Sequence, residues 1–123
     1  MDKQQAYYSL WSRFGVPAYD ENRVPEEATY PRITYQVILG ALDGPIFPVA
    51  TLWDKNTSWT WLDTKIKEIT RYIEDMSPIK LDEGGYMNVT LNDPQHADRT
   101  SDPSDSTVIG YRITLGIEFL TKY

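Results

Sequence analysis

Hydrophobic and polar positions alternate along the chain with two different periods, and the changes of period mark out its elements. Between Asp2 and Phe14, the residues Tyr7, Leu10, Trp11 and Phe14 recur at i, i+3, i+4 and i+7, which is one apolar helix face. Asp2 suits the positive end of the helix dipole. Gly15 can take the left-handed conformation that ends a helix, and Pro17 prevents continuation. From Arg32 to Leu42 the period becomes two: Ile33, Tyr35, Val37, Leu39 and Ala41 share a face, with Thr34 and Gln36 opposite. Asp43-Gly44 is a two-residue hairpin signal. The returning strand, Ile46 to Trp53, sets Phe47, Val49 and Trp53 on one face. Pro45 and Pro48 cannot donate ladder hydrogen bonds, so it is expected to be an edge strand at its beginning.

The helical period returns after Asn56. Thr57 or Ser58 is the expected N-cap. Trp59, Leu62, Ile66, Ile69, Ile73 and Met76 then form the clearest amphipathic seam in the chain, closed by Ser77-Pro78. Asp82-Glu83-Gly84-Gly85 reads as a turn, and Tyr86 to Leu91 as a strand with Met87, Val89 and Leu91 on one face. Thr107 to Lys122 is the strongest strand pattern: Ile109, Tyr111, Ile113, Leu115, Ile117 and Phe119 alternate with Gly110, Arg112, Thr114, Gly116 and Glu118. Two stretches lack a period, Pro17 to Pro31 and Asn92 to Ser106, and both read as loops. Tyr19, Val24 and Tyr30 suggest that the first of them packs down onto the domain. The expectation is a single α+β domain over residues 1–123 in the order α-β-β-α-β-β, with a mainly antiparallel sheet and two helices packed on one face.

Composition narrows the function classes. The chain has 123 residues, 12 Lys+Arg against 18 Asp+Glu, a net charge of -6, no Cys and one His. Without Cys there is no disulfide framework, thiolate nucleophile or Cys-based metal site, and one His cannot build a multi-His centre. The acidic balance argues against a nucleic-acid binder, which needs cations to displace counterions from phosphate. No basic region followed by an apolar run opens the chain and no apolar stretch reaches membrane-spanning length, so no signal peptide and no membrane partner are expected.

A search for catalytic constellations returns none. His96 could be oriented by Asp93 or Asp98, but no nucleophile motif accompanies it. Asp93, Asp98, Asp102 and Asp105 do not follow the alternation of a calcium loop. Nothing selects Glu26-Glu27 or Asp82-Glu83 as a glycosidase pair from the other acids. Gly84-Gly85 lacks the Lys of a phosphate loop. Trp53, Trp59 and Trp61 cluster within nine residues. They admit three readings: core packing, a protein interface, or stacking on sugar rings, with Trp61 off the helix seam and expected to be the exposed one.

Several segments carry a resemblance. They are Leu10-Trp11-Ser12, Phe14-Gly15, Pro17-Ala18-Tyr19-Asp20-Glu21 and Val24-Pro25, then Tyr30-Pro31-Arg32-Ile33-Thr34-Tyr35, then Leu52-Trp53 with Asn56-Thr57-Ser58-Trp59, and finally Ile117-Glu118-Phe119-Leu120. Their pattern resembles the tail terminator (tail completion, or tail-to-head joining) proteins of long-tailed phages and prophages of Gram-positive bacteria. It departs from the commoner family form at Arg32, where an aromatic follows the proline. The resemblance implies an α+β virion structural protein, with no enzymatic activity and no cofactor. It implies a ring, usually a hexamer, that caps the tail tube, stops its polymerisation and joins tail to head. Its partners would be itself, the tail tube protein and the head-completion (stopper) protein, at the head–tail junction of a virion made in the host cytoplasm.

A ring subunit needs two unlike surfaces that meet head to tail. The candidate interface residues are Tyr19, Val24, Tyr30, Trp53 and Trp61. Asp93, His96, Asp98, Arg99, Asp102 and Asp105 are the candidate lumen or partner loop, where negative charge would keep passing DNA from sticking. Two other expectations stand beside this one: another head–tail junction or tail-tube ring protein, and a small carbohydrate- or ligand-binding module.

Overall fold

Seventeen residues of one strand organise the molecule. The computed structural model describes residues 3–37, 46–56, 58–76, 78–81, 85–91 and 97–121. In chain order its elements are α1 (Lys3–Trp11), β1 (Ala18–Asp20), β2 (Arg32–Tyr35), β3 (Val49–Lys55), α2 (Thr60–Met76), β4 (Ile79–Lys80), β5 (Gly85–Leu91), β6 (Ala97–Asp102) and β7 (Asp105–Thr121). The strands form one sheet in the order β1-β2-β3-β7-β5-β4, with β6 also paired to β7. All pairings are antiparallel except β1 with β2. On one edge of β7, Val108–Thr114 pair with β3, and Ile117 is bridged to Ile46 beyond it. On the other edge, β5 ends at Leu91 opposite Leu115 and β6 begins at Ala97 opposite Ile113, so the two follow one another along β7.

The chain is α+β as the pattern predicts, but the order is α-β-β-β-α-β-β-β-β. The three extra strands are short or polar and carry no period of their own. β1 lies inside the proline-rich arm and is drawn into the sheet by parallel pairing to β2. β4 contributes two residues to β5. β6, Ala-Asp-Arg-Thr-Ser-Asp, lies in the segment read as loop, and pairing to β7 makes it a strand. It turns into β7 through Pro103-Ser104. The Asp43-Gly44 turn, the strand residues beyond Val37 and the Asp82–Gly84 part of the second turn lie outside the described residues.

The face assigned to the returning strand is reversed. Ile46, Pro48, Ala50 and Leu52 are buried, whereas Val49 and Trp53 are half-buried and Phe47 is exposed. Register decides this: Ala50 lies opposite both Tyr35 and Ile113, and Leu52 opposite Ile33 and Tyr111, which ties the even positions of β3 to the apolar face of β7. β3 is also interior from Ala50 to Trp53, with β2 on one side and β7 on the other. Its beginning, at Ile46 and Val49, and its last residues, Asp54 and Lys55, have a single strand partner among the described residues.

The core is built on that face. Leu62, Ile66, Ile69 and Ile73 of α2 are buried against it, and α2 contacts β3, β5 and β7. Ser58 caps the helix by accepting the Thr60 N–H at 3.2 Å; Thr57 and the Met76 side chain lie outside the described set. The expected pair of covering helices is unequal. α1 does not run along any one strand; it closes the β2 corner. There Tyr7 and Tyr8 meet Tyr35 edge-on at 5.7 and 6.1 Å, and Phe14 meets Tyr72 of α2 at 5.3 Å. Ala6, Leu10 and Trp11 are buried beneath. The helix ends at Trp11, three residues short of the expected Phe14; Gly15 takes the expected left-handed conformation, φ 75°, but beyond the helix end.

The other face of the sheet is covered by no helix among the described residues. Its rings lie on glycines. A Cβ on Gly110 would stand 2.4 Å from the Leu52 carbonyl oxygen and 3.1 Å from the Trp53 ring, and one on Gly116 would stand 2.8 Å from Thr90 Oγ1 and 3.6 Å from Phe47. The Gly110 clash is with backbone and cannot be relieved by a rotamer change. Gly110→Ala should therefore destabilise the fold by about 1–3 kcal/mol, read as a lower urea midpoint with an unchanged slope. An unchanged midpoint would contradict this packing.

Candidate functional site

Pairing fixes where each candidate residue stands. Tyr19, Val24 and Tyr30 are half-buried in the arm, which packs down as expected. The arm is stapled by Arg32, whose guanidinium lies 4.3 Å from the Tyr30 ring centroid and donates to Tyr30 Oη at 3.0 Å and to the Ala28 carbonyl at 3.2 Å. Trp53 is on the uncovered face, half-buried over Gly110, and its indole N–H donates to Thr34 Oγ1 at 3.0 Å. Trp61, expected to be the exposed tryptophan, is half-buried and packs against the core. None of the three clustered tryptophans is exposed, because each lies over strand or core side chains.

Asp93 and His96 lie outside the described residues. The other members of the acidic segment, expected in a loop, stand on β6 or at the start of β7 and are bonded within their own domain. Asp98 pairs across the strands with Arg112 at 3.2 Å. Asp102 accepts from the backbone N–H and hydroxyl of Ser104 at 2.8 and 2.7 Å. Asp105 does the same for Thr107 at 3.0 and 2.6 Å and approaches Lys55 at 3.6 Å. These bonds hold the Asp102 and Asp105 carboxyls below the ordinary range.

Arg99 turns back over the N-terminal end of α2 and builds a cluster that the sequence reading missed. Its guanidinium lies 4.4 Å from the Trp59 ring centroid, donates through Nε to Tyr111 Oη at 3.1 Å, and reaches both Asp63 carboxylate oxygens at 3.3 and 3.4 Å. Tyr111 donates to Asp63 at 2.5 Å, and its ring meets Trp59 edge-on at 5.5 Å. The Trp59 and Asp63 spacing of four residues and the Arg99–Tyr111 cross-strand pairing were the available signals. The second was hidden until β6 was known to be a strand. Arg99, Tyr111 and Asp63 are hydrogen-bonded to one another, with Trp59 packed against them, so the cluster clasps the β6–β7 hairpin to α2.

The uncovered face carries two further features. Around Arg112 lies a shallow basin of about 600 Å³ whose lining includes Glu21, Gln36, Asp98, Arg112 and Thr114. Toward the C-terminal half of β7 stand Phe47, Tyr86 and Leu120, which are 57, 45 and 51% exposed. Among the described residues no group of three His, Cys, Asp or Glu side chains is positioned to hold a metal. No described helix is long and apolar enough to cross a membrane. No protein-family model matches the chain, and no curated protein matches it.

The Tyr111 hydrogen bond first, and Arg99 with it, holds the Asp63 carboxyl below its ordinary value. A carboxyl whose folded-state affinity for protons is depressed adds stability above the ordinary carboxylate range, and that stability is lost as pH falls through the depressed value. Asp63→Ala should lower the urea midpoint at neutral pH, with the gap to wild type closing in acid. A gap that is constant with pH would mean that the carboxylate charge does not hold the clasp.

Proposed function

We propose that this chain is a virion structural protein of the tail terminator kind, a ring subunit that caps a tail tube and joins it to the head. The observation that carries the reading is the pair of unlike edges on the sheet. β1 bounds one side, a short strand joined in parallel to β2, and β6 lies on the other, with β7 as its strand partner among the described residues. Two different edges at opposite sides of one sheet are heterologous surfaces, and head-to-tail contacts between such surfaces generate rings when the rotation closes. Half-buried Tyr19 stands on β1 itself, and Val24 and Tyr30 follow in the arm that leads from it to β2. The clasp on Arg99 stiffens the β6 edge, and a pre-organised edge loses less freedom on association. The small α+β domain agrees with a structural role.

In this reading the partners are further copies of the chain, the tail tube protein and the head-completion protein, at the head–tail junction. A tube protein of the same build is the nearest alternative, and its assembly differs: it adds ring upon ring. Native mass measurement with negative-stain imaging of the purified protein should give one closed ring of about six subunits that does not lengthen with concentration. Open tubes would favour the tube protein, and a strict monomer even with tube protein present would contradict a ring.

A further inference from the structure

We propose that two copies of this chain pair face to face through the uncovered side of the sheet, about a two-fold axis that crosses the strands at the level of Leu115. On that side β7 presents Gly110, Arg112, Thr114, Gly116, Glu118 and Leu120 in order. Arg112 and Glu118 are both exposed and stand equally far from Leu115 in opposite directions. Turning one copy over along its strand therefore sets Arg112 of each chain opposite Glu118 of the other, twice per dimer. The same operation brings the two small central positions, Thr114 and Gly116, together. It sets Leu120 over Gly110, where the Trp53 ring provides an apolar floor. Phe47, which lies against Gly116 one strand away, meets its own symmetry mate beside the axis. Packed sheets stand about 10 Å apart, and small residues at the crossing permit that spacing.

Self-complementary charge is the reason to name a second copy as the occupant. With Arg112 and Glu118 at equal distances from Leu115, the face is complementary in charge to a second copy of itself at both contacts at once. The apolar component is present too: Phe47, Tyr86 and Leu120 are about half exposed on this one side, and Tyr86 and Leu120 are direct cross-strand neighbours. Arg112 is already oriented toward the face by Asp98 at 3.2 Å, which reduces the freedom it would lose on pairing. The contact leaves the β1 and β6 edges free, so it does not rest on the ring reading.

Sedimentation equilibrium over a wide protein concentration range tests it with a charge exchange. Wild type should show reversible dimerisation, of single chains or of whole rings. Glu118→Arg and Arg112→Glu each oppose like charges in their own homodimer and should weaken it about tenfold or more. An equimolar mixture of the two variants should dimerise again, because each Arg then faces a Glu across the axis at both contacts. Phe47→Asp, at an exposed side chain, should abolish pairing and carries the test if Arg112→Glu does not fold by circular dichroism. Wild type that stays monomeric throughout, Glu118→Arg or Phe47→Asp that pairs as tightly as wild type, or a mixture of folded variants that fails to recover would overturn the proposal. Dimers without any ring would refute the ring reading alone, and rings whose mass is indifferent to Glu118→Arg and Phe47→Asp would refute the face pairing alone.

Discussion

β7 is hydrogen-bonded along both edges over most of its seventeen residues, and the rest of the sheet takes its register from that strand. Ile46, Pro48 and β3 run down one edge, with backbone bonds from Leu115 to Pro48 and between Ile117 and Ile46. β5 and β6 share the other edge. Because side chains on a strand alternate with period two, fixing Ile113, Leu115 and Ile117 in the core fixes the inward set of every partner. Ala50 and Leu52 follow from β3, Ile33 and Tyr35 from β2, and Met87 and Val89 from β5. α2 then has one continuous apolar floor for its seam.

The same alternation determines what is left outside. The outward positions of β7 include two glycines, and the rings of Trp53 and Phe47 lie down on them. A ring over a strand glycine regains contact that the missing side chain would have supplied. This is why Trp53 is half-buried without belonging to the core. The polar half of the same face is satisfied by pairs: Asp98 with Arg112, and Trp53 with Thr34. Across the sheet, Arg99 uses its planar fork and its affinity for aromatic faces at once, gripping Asp63, Tyr111 and Trp59. The acidic character of the chain is thus partly neutralised where it looked most concentrated.

The elements with a strong period were legible in the sequence. The α2 seam and the alternation of β7 stand as read, because burial on one side demands an unbroken pattern. The misreadings have physical causes. Residues 46–53 offer two apolar sets, and the larger rings of Phe47 and Trp53 mark the wrong one. Only the glycines opposite them on β7, which no local pattern connects to β3, explain why large rings lie outside. β6 has no apolar alternation, since its strand character comes from its partner, and β1 is three residues held by β2. The candidate residues fared similarly. The arm of Tyr19, Val24 and Tyr30 packs down as expected, but Arg99 joins a long-range cluster in which Asp63 and Tyr111 alone are 48 residues apart in sequence, beyond the reach of spacing rules.

The claim that β7 holds the whole sheet is tested most directly by native-state hydrogen exchange resolved to single amides. If it is right, the amides of Ile113, Leu115 and Ile117 exchange only through global unfolding, and those of β1 and β6 exchange sooner through partial opening. Exchange of the central β7 amides at or above the rate of the edge strands would contradict it.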